Sequence, residues 1–399
     1  MTEMVLFNPF TPGFTDDPYP HYRELRDAGP VQEHPLGFWF VTRHDEVADL
    51  LRANLSVEQR HLAPHETRDA IRGPVDQPMR GGGLSMLDRD PPDHTRLRRL
   101  VSKVFTPRAI EALRPRVQTL VDDALDRLAD GGDVVAELAF PLPFAVINEM
   151  LGMPDADADR VRDLSGTLVR SLEPIADPDL AKRIAAADVE IASLCRDAIE
   201  AKRANPADDL LTALIRAEED GDVLDDDELI AQVVLLYVAG HETTVNLISN
   251  GVVALLRHPD QLAALQANPD LIGNAVEEFL RYDSPVQSGR RITTAPVDVG
   301  GSEIPAGSFI ILGQASANRD ERFWGPDADT LRLDRRDARL HVSFGAGPHH
   351  CLGAALARLE AQLAIGGLVA RYPNLAQAGE IEWNGRINLR GAAKVPISV

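Results

Sequence analysis

The chain has little cysteine, fewer basic than acidic residues, and no long uninterrupted apolar run. Two cysteines among 399 residues exclude a disulfide scaffold and are typical of a reducing cytoplasm. Lysine and arginine number 41 against 62 acidic residues, which argues against nucleic acid or an anionic membrane as a bulk partner. No stretch approaches twenty consecutive apolar residues, so we expect no transmembrane span. The first seventeen residues also lack the pattern of a signal peptide, and we expect a cytoplasmic protein.

Internal repeats and low-complexity tracts are also missing, and what remains favours helices. The length allows one large domain or two, and 44% hydrophobic residues is ample for a core. Residues 107–258 are long periodic runs of Leu, Ala, Val, Arg and Asp between glycines and prolines, which predicts helix after helix. Strand patterns are confined to a hairpin at 31–42 and short strands at 373–399, and residues 73–91 predict a long loop. The predicted fold class is mainly α with a small β region.

The most informative stretch is residues 344–358, FGAGPHHCLGAALAR. Its glycines and proline predict a shaped loop, and the leucines that follow at helical spacing predict a helix. Cys351 therefore lies where a loop meets a helix N-terminus, which favours a thiolate. Cys195 lies in an Ala-rich helical segment, so no disulfide is expected, and a zinc site would need more soft ligands. A nucleophile with His349 or His350 as its base and an axial ligand of haem iron are the chemistries left open.

A second stretch interrupts the longest predicted helix, residues 226–257, which would span ~45–50 Å at 1.5 Å per residue. Residues 230–238 are apolar nearly all round, which predicts central burial. Residues 239–244, AGHETT, break that pattern, because a helical glycine costs ~1 kcal/mol and a threonine hydroxyl can bond the preceding turn. One interpretation is a local kink with Glu242 paired to a buried base. The other is a widened helix whose hydroxyl and carboxylate face a bound ligand.

Two further patterns place charge on helix faces. Asp93 follows two prolines and predicts a helix start, so His94 and Arg98, four residues apart, project from one face of that helix. They form either a basic solvated face or a clamp on a dianionic ligand. Glu278 and Arg281 form an i,i+3 pair, which by itself is among the commonest surface patterns.

These stretches together resemble the cytochrome P-450 monooxygenases. The run F-G-x-G-x-H-x-C-x-G-x-x-L-A-R at 344–358 is similar to that family's haem-binding loop at every defining position. In the family's order, D-P-P-x-H-T-x-x-R-R at 90–99 resembles its haem-edge helix, A-G-x-E-T-T at 239–244 its oxygen-activating signature, and E-x-x-R at 278–281 its structural ion pair. The resemblance implies a single domain over residues 1–399 with the cytochrome P-450 fold, a helical bundle around haem with a small β region.

The resemblance also implies roles for individual residues. Cys351 would be the thiolate ligand of the haem iron, and Glu242 and Thr243 would form the acid–threonine pair that relays protons. Glu278 and Arg281 would be structural and not catalytic. Basic side chains would hold the haem propionates, with Arg290 as the alternative to Arg291. The residues implied at the haem besides Cys351 are His94, Arg98, Ala239, Gly240, Arg291, Phe344, Gly345, His349 and Gly353.

The implied reaction is insertion of one oxygen atom of O₂ into a small-to-medium apolar organic substrate, above all hydroxylation, with haem b (iron protoporphyrin IX) as cofactor. We expect no flavin or iron–sulfur domain, so electrons from NAD(P)H would arrive through a separate ferredoxin and ferredoxin reductase, docked at Arg99, Arg108 and Arg358. The alternatives are a peroxide-driven haem-thiolate peroxygenase, which typically lacks the acid–threonine pair, and a non-catalytic haem-binding sensor. The residues predicted to line an apolar substrate pocket are Leu84, Met86, Val234, Val238 and Val286.

Overall fold

The computed structural model describes residues 5–66, 84–103, 105–153, 158–173, 177–219 and 221–399. Helices dominate these residues, and the prediction of a mainly α fold with a small β region is confirmed. No helix in this described part of the chain has both the length and the apolarity needed to cross a membrane. The helices are α1 Tyr19–Ala28, α2 His44–Arg52, α3 Asp93–Ser102, α4 Pro107–Ala112, α5 Arg114–Arg127, α6 Pro141–Leu151, α7 Ala158–Leu168, α8 Pro178–Ala204, α9 Leu210–Ile215, α10 Asp226–Arg257, α11 Pro259–Ala267, α12 Ile272–Tyr282, α13 Gln314–Ala317, α14 Glu321–Trp324 and α15 Ala354–Arg371.

The strands are short and form small sheets. The predicted hairpin at 31–42 is present, and short strands close the C-terminal region as predicted. Most of the predicted loop at 73–91 falls on residues 67–83, outside the described residues. The strands are β1 Val31–His34, β2 Phe38–Val41, β3 Gly132–Asp133, β4 Glu218–Glu219, β5 Asp222–Val223, β6 Gly289–Ile292, β7 Val297–Val299, β8 Ser302–Ile304, β9 Phe309–Leu312, β10 Ala376–Gln377, β11 Glu382–Trp383, β12 Ala392–Lys394 and β13 Pro396–Ser398.

The chain divides into two compact units. The larger unit comprises residues 1–70, 121–139 and 244–399, and the smaller unit comprises residues 71–120 and 140–243. The prediction of one domain over the whole chain stays a prediction.

A four-stranded sheet in the order β1-β2-β9-β6 positions one arginine pair of the larger unit. Strand β9 pairs in parallel with β2 and in antiparallel fashion with β6, which sets Arg290 opposite Ile311 and Arg291 opposite Ile310. Ile310 and Leu312 are fully buried in a core that also contains Val41. Because successive side chains of a strand point to opposite faces, neighbouring arginines in β6 lie in different environments.

Helices α10, α12 and α15 meet at close range in the larger unit. A Cβ atom added to Gly251 of α10 would lie 2.7 Å from Ile365 Cδ1 and 3.1 Å from the ring of Phe279, so a larger residue here would require both side chains to shift. Helix α12 buries Val276 and Phe279 on its apolar face, and Glu278 and Arg281 are buried with them. The helix packs against α15, which follows the cysteine loop. This packing holds in place the helix that follows the cysteine loop.

Arg390 ties the two ends of the larger unit together. Its guanidinium donates to the backbone oxygens of Thr15 and Asp16 and, from Nε, to Asp283 Oδ1 at 2.9 Å. Tyr19 donates its hydroxyl to the same Asp283 carboxylate at 2.9 Å. The arginine, 3% exposed, is therefore a buried junction between the start and the end of the chain.

Acidic residues begin α10 in the smaller unit. The Glu228 N–H donates to Asp225 Oδ1 at 2.8 Å, and the Asp225 N–H donates to Glu228 Oε2 at 3.2 Å. This reciprocal pair is a capping box, and its negative charge complements the positive end of the helix dipole. Arg203 and Arg96 pair with Asp226 and Glu228. The acidic cluster is therefore explained as a helix start.

Candidate functional site

The cysteine loop in the larger unit is shaped by two glycines and one backbone hydrogen bond. Gly345 and Gly347 have φ angles of +67° and +66°, a left-handed conformation that favours glycine. A single 3₁₀ turn, Gly347–His349, follows, and the Cys351 N–H donates to the Phe344 oxygen at 2.8 Å. The loop thus returns on itself and brings the cysteine next to the residue that begins it.

The two cysteines lie in opposite environments. Neither forms a disulfide; Cys351 is exposed and Cys195 is buried. Burial raises the pKa of Cys195 to about 12, so that thiol stays protonated and inert. Helix α15 begins at Ala354, so Cys351 precedes the first helical residue by one short turn. A Cβ added to Gly353, two residues after Cys351, would meet nothing within 4 Å.

The neighbouring arginines of β6 differ in burial. Arg291 is 7% exposed and donates from Nη1 to the Arg290 oxygen at 2.7 Å, whereas Arg290 is half-buried. His349 and Phe344 are also half-buried in the same unit, as is Val286, whose backbone bridges to Leu389. The choice of Arg291 over Arg290 as a propionate partner stays a prediction.

Arg358, predicted as a docking residue, is engaged within the protein. It donates from Nε to Glu277 Oε1 at 2.6 Å and from Nη2 to Oε2 at 3.0 Å, while its guanidinium lies 4.6 Å from the centre of the Phe344 ring. His341 Nε2 lies 3.1 Å from Glu277 Oε2. Burial alone would raise the pKa of Glu277, but the hydrogen bonds from His341 and Arg358 overcome it and lower that pKa to about 2. Its charge is thus already paired within the protein, and a role for Arg358 in docking stays a prediction.

The predicted ion pair between Glu278 and Arg281 is present and fully buried. Arg281 donates from Nε and Nη2 to the two carboxylate oxygens, each at 2.7 Å, and from Nη1 to the backbone oxygens of Asn318 and Ala328. Arg335 Nε adds a contact to Glu278 at 3.2 Å. No local pattern pointed to Arg335, which comes 57 residues after Glu278 in an irregular segment.

In the smaller unit, one turn of the otherwise buried helix α10 is accessible to solvent. Residues 231–238 and 244–255 are buried without exception, whereas Ala239 is exposed and Glu242 and Thr243 are half-buried. These three residues have i, i+3, i+4 spacing and share one face. The Thr243 hydroxyl donates to the Ala239 oxygen at 3.1 Å. A carboxylate and a hydroxyl are thus presented together from within an apolar helix.

The helix stays α-helical through this turn, so the predicted widening at Gly240 is not found. A Cβ added to Gly240 would lie 3.2 Å from Ile147 Cδ1 of α6, which explains the glycine by close helix packing. His241, next in sequence, is fully buried, with Nδ1 2.9 Å from the Tyr237 oxygen and Nε2 3.1 Å from Ser165 Oγ. The sequence reasoning assigned this histidine no role. Its side chain is buried where α10 packs against α7, which explains why an apolar environment surrounds this polar residue beside the exposed face.

The predicted pocket residues of the smaller unit are mostly covered by protein. Met86, Val234 and Val238 are buried, and Leu84 is half-buried. Gln232 ties the segment before α3 to α10, because its Oε1 accepts from the Met86 N–H at 3.0 Å and its Nε2 donates to the Leu84 oxygen at 3.2 Å. Sequence reasoning missed Gln232, a polar residue inside an apolar run, although that position was itself a signal.

His94 and Arg98 both lie in α3 of the same unit. His94 is 3% exposed and Arg98 is half-buried, so the alternative of a solvated basic face does not fit His94. Within each unit taken by itself, the side chains present are of the kinds that bind haem. One unit offers an exposed thiol on a glycine-rich loop with a buried arginine, and the other offers a buried imidazole, an arginine and an open polar helical turn. Roles at a haem remain predictions for all of these residues.

Comparison with known proteins gives one consistent result. A protein-family model described as Cytochrome P450 matches residues 168–381. The chain is 44% identical to cytochrome P450 107B1 of Saccharopolyspora erythraea, over 97% of this chain and 96% of that protein. It is 42% identical to the vitamin D(3) 25-hydroxylase of Pseudonocardia autotrophica, over 98% and 96%. The crystal structure of Mycobacterium smegmatis CYP164A2 with econazole bound matches with a TM-score of 0.89 and 36% identity, covering 98% of each chain.

Proposed function

This chain belongs to the cytochrome P450 family, and we propose that it is a monooxygenase that hydroxylates a small-to-medium apolar organic molecule with O₂. The observation that carries the proposal is the exposed Cys351 thiol on a loop held by the Phe344 oxygen. A relative named as a vitamin D(3) 25-hydroxylase supports both hydroxylation and an apolar substrate. A cytoplasmic location is part of the proposal and is supported by two cysteines that form no disulfide.

The cofactor in this proposal is haem b, which Cys351 would bind through its sulfur, while His94, Arg98, Arg291 and His349 would hold its propionates. Bound haem supplies the activation of O₂, and a thiolate ligand favours O–O cleavage. The protein's contribution on the cysteine side is to hold the sulfur at the start of α15, where backbone N–H groups and the helix dipole stabilise negative charge. Burial of Arg291 strengthens any pairing with a carboxylate, because screening by water is reduced there.

Protons in this proposal pass through Glu242 and Thr243. The Thr243 hydroxyl donates its hydrogen to the Ala239 oxygen, which leaves the lone pairs of Oγ1 to accept from a water molecule. Half-buried Glu242, one residue earlier in the chain, can exchange protons with solvent and with that water. The apolar walls on either side of this turn keep other water away.

The Thr243→Ala variant is expected to keep haem and substrate binding but to lose product. Without the hydroxyl, water is no longer held at the turn, and the ratio of product to NAD(P)H consumed should fall about tenfold or more, since positioned proton transfer contributes 10²–10⁴-fold. Hydrogen peroxide should rise correspondingly. Thr243→Ser is the control, because it retains a hydroxyl and should restore most of the coupling. Unchanged coupling in the alanine variant would remove Thr243 from the relay.

Electron supply in this proposal comes from NAD(P)H through a ferredoxin reductase and a ferredoxin. The docking candidates are Arg99, Arg108 and Arg358. Arg108 is exposed, and Arg99 is exposed with a 3.6 Å contact to Asp222. The Arg108→Glu variant should slow reduction by ferredoxin several-fold at low salt, with the difference shrinking as salt screens the charges. Lys182→Glu makes the same charge change on exposed α8 and should leave the rate unchanged. Equal rates for all three proteins at low salt would refute docking at Arg108.

The test of the proposed function is the absorption spectrum of the purified protein, reduced and treated with carbon monoxide. A strongly red-shifted Soret band is expected, because thiolate ligation produces it. A band typical of histidine-ligated haem, or no haem at all, would overturn the proposal. Product formation with NAD(P)H and the redox proteins is then compared with product formation with hydrogen peroxide alone. Turnover with peroxide only would identify a peroxygenase instead.

A further inference from the structure

A buried network of Glu277, His341 and Arg358 supports the cysteine loop of the larger unit. Glu277 lies on α12 and receives both other residues, with Arg358 at 2.6 and 3.0 Å and His341 at 3.1 Å. The side chains are 14% exposed for Glu277, 1% for His341 and 30% for Arg358. Glu278, which follows Glu277 in the sequence, pairs with Arg281 and Arg335. The two adjacent carboxylates therefore belong to separate networks.

The protonation of His341 follows from its contacts. Nδ1 accepts from the Ser343 N–H at 3.1 Å, so that nitrogen carries no hydrogen. Nε2 must then carry the hydrogen and donate it to Glu277 Oε2. Burial lowers the pKa of His341, in agreement with a neutral ring. The network therefore holds one negative charge, on Glu277, and one positive charge, on Arg358.

Arg358 connects this network to the loop that carries the cysteine. Its guanidinium is held over the face of the Phe344 ring at 4.6 Å, a cation–π contact that becomes stronger as water is removed. The backbone oxygen of Phe344 accepts the Cys351 N–H at 2.8 Å. A continuous series of contacts thus runs from the carboxylate of Glu277 to the backbone of Cys351.

We propose that Glu277 is a positioning residue for the cysteine loop, which fixes Arg358 on Phe344 and balances its charge beside the proposed ligand. The inference rests on the proposed function in one respect, namely that Cys351 binds the haem iron. It assigns to Glu277 and Arg358 opposite influences on the reduction potential and a shared influence on the rigidity of the loop.

The opposite influences distinguish this role from simple structural support. In Glu277→Gln the positive charge of Arg358 is no longer balanced, which favours the reduced iron and should shift the reduction potential upward. In Arg358→Gln the negative charge of Glu277 is left unbalanced, and the potential should shift downward. The double variant should return close to the original value. Loss of packing alone would shift the reduction potentials of both single variants in the same direction.

Rigidity gives a second measurement that is independent of activity. Amide hydrogen exchange over residues 342–353 of the haem-loaded protein should accelerate about tenfold in both single variants, because the loop loses its clamp. Arg358→Lys retains the charge but not the paired hydrogen bonds, so it should accelerate exchange without shifting the potential. The control is Arg371→Gln, which breaks an ion pair with Asp126 at the far end of the same helix and should change neither quantity.

The outcomes separate this inference from the proposed function. If the unmodified protein lacks the red-shifted carbon monoxide band, the proposed function fails. If it shows that band, potentials that stay constant or shift in the same direction in the two single variants overturn the role of Glu277. Should Glu277→Gln fail to fold, Arg358→Gln and Arg358→Lys decide the matter by the same two measurements.

Discussion

The Cys351→Ser variant is expected to lose the red-shifted carbon monoxide band entirely and to lose product formation by at least about 1,000-fold. A serine hydroxyl is a far weaker donor to iron than a thiolate, and the push of electron density that favours O–O cleavage depends on sulfur. The substitution is small, and Cys351 is exposed, so the fold should survive. The measurements are the reduced carbon monoxide spectrum and product formed per enzyme under the natural electron supply.

Cys195→Ala is the matched control for this experiment. Cys195 is a buried thiol whose pKa is raised to about 12, and it has no thiolate chemistry to lose. Its alanine variant should keep the band and the product yield, with only a modest loss of stability from the removed sulfur. Retention of the red-shifted band in Cys351→Ser would show that another group binds the iron. That result would overturn the proposed ligand.

The second large effect is expected from Arg281→Met, which should destabilise the protein by about 3–5 kcal/mol, as breaking a buried ion pair typically does. Glu278 would be left buried with Arg335 as its remaining charged partner and the Arg332 N–H as a further donor, and the backbone oxygens of Asn318 and Ala328 would lose their donor. Burial lowers the pKa of Arg281, and the pairing with Glu278 opposes that shift. The measurement is the midpoint of denaturant unfolding with haem content held equal.

An exposed pair of the same spacing provides the comparison. Arg114 and Glu111 also stand three residues apart and form two hydrogen bonds, but on the surface. Arg114→Met should leave the unfolding midpoint unchanged, because solvent screens such a pair. If both variants lowered the midpoint equally, the buried network around Glu278 would not be the source of the stability.

Local sequence signals predicted several elements well. The hairpin at 31–42 and the helix Asp226–Arg257 follow from periodicity, glycines and capping residues, all of which act over short distances. The glycine-rich loop that carries Cys351 and the helix after it were predicted because these residues are contiguous in sequence. The ion pair at Glu278 and Arg281 was found for the same reason.

Contacts between distant segments were not predictable in this way. Arg335 joins Glu278 from 57 residues away, and His341 joins Glu277 from 64 residues away, in stretches without periodicity. Arg358 illustrates this limit, because its pairing with Glu277, 81 residues earlier, could not be predicted from an arginine at the start of a helix. Gly240 is a second example, since its close packing on Ile147 depends on a helix that sequence spacing does not place.

The junction at Arg390 bears on how this chain is made. Its contacts with the oxygens of Thr15 and Asp16 join residues more than 370 positions apart. During synthesis the first helix emerges from the ribosome long before its partner arginine exists, so the N-terminal segment must wait without this anchor until residue 390 has been translated. A ribosome that stalls before Arg390 therefore leaves Thr15 and Asp16 without this contact.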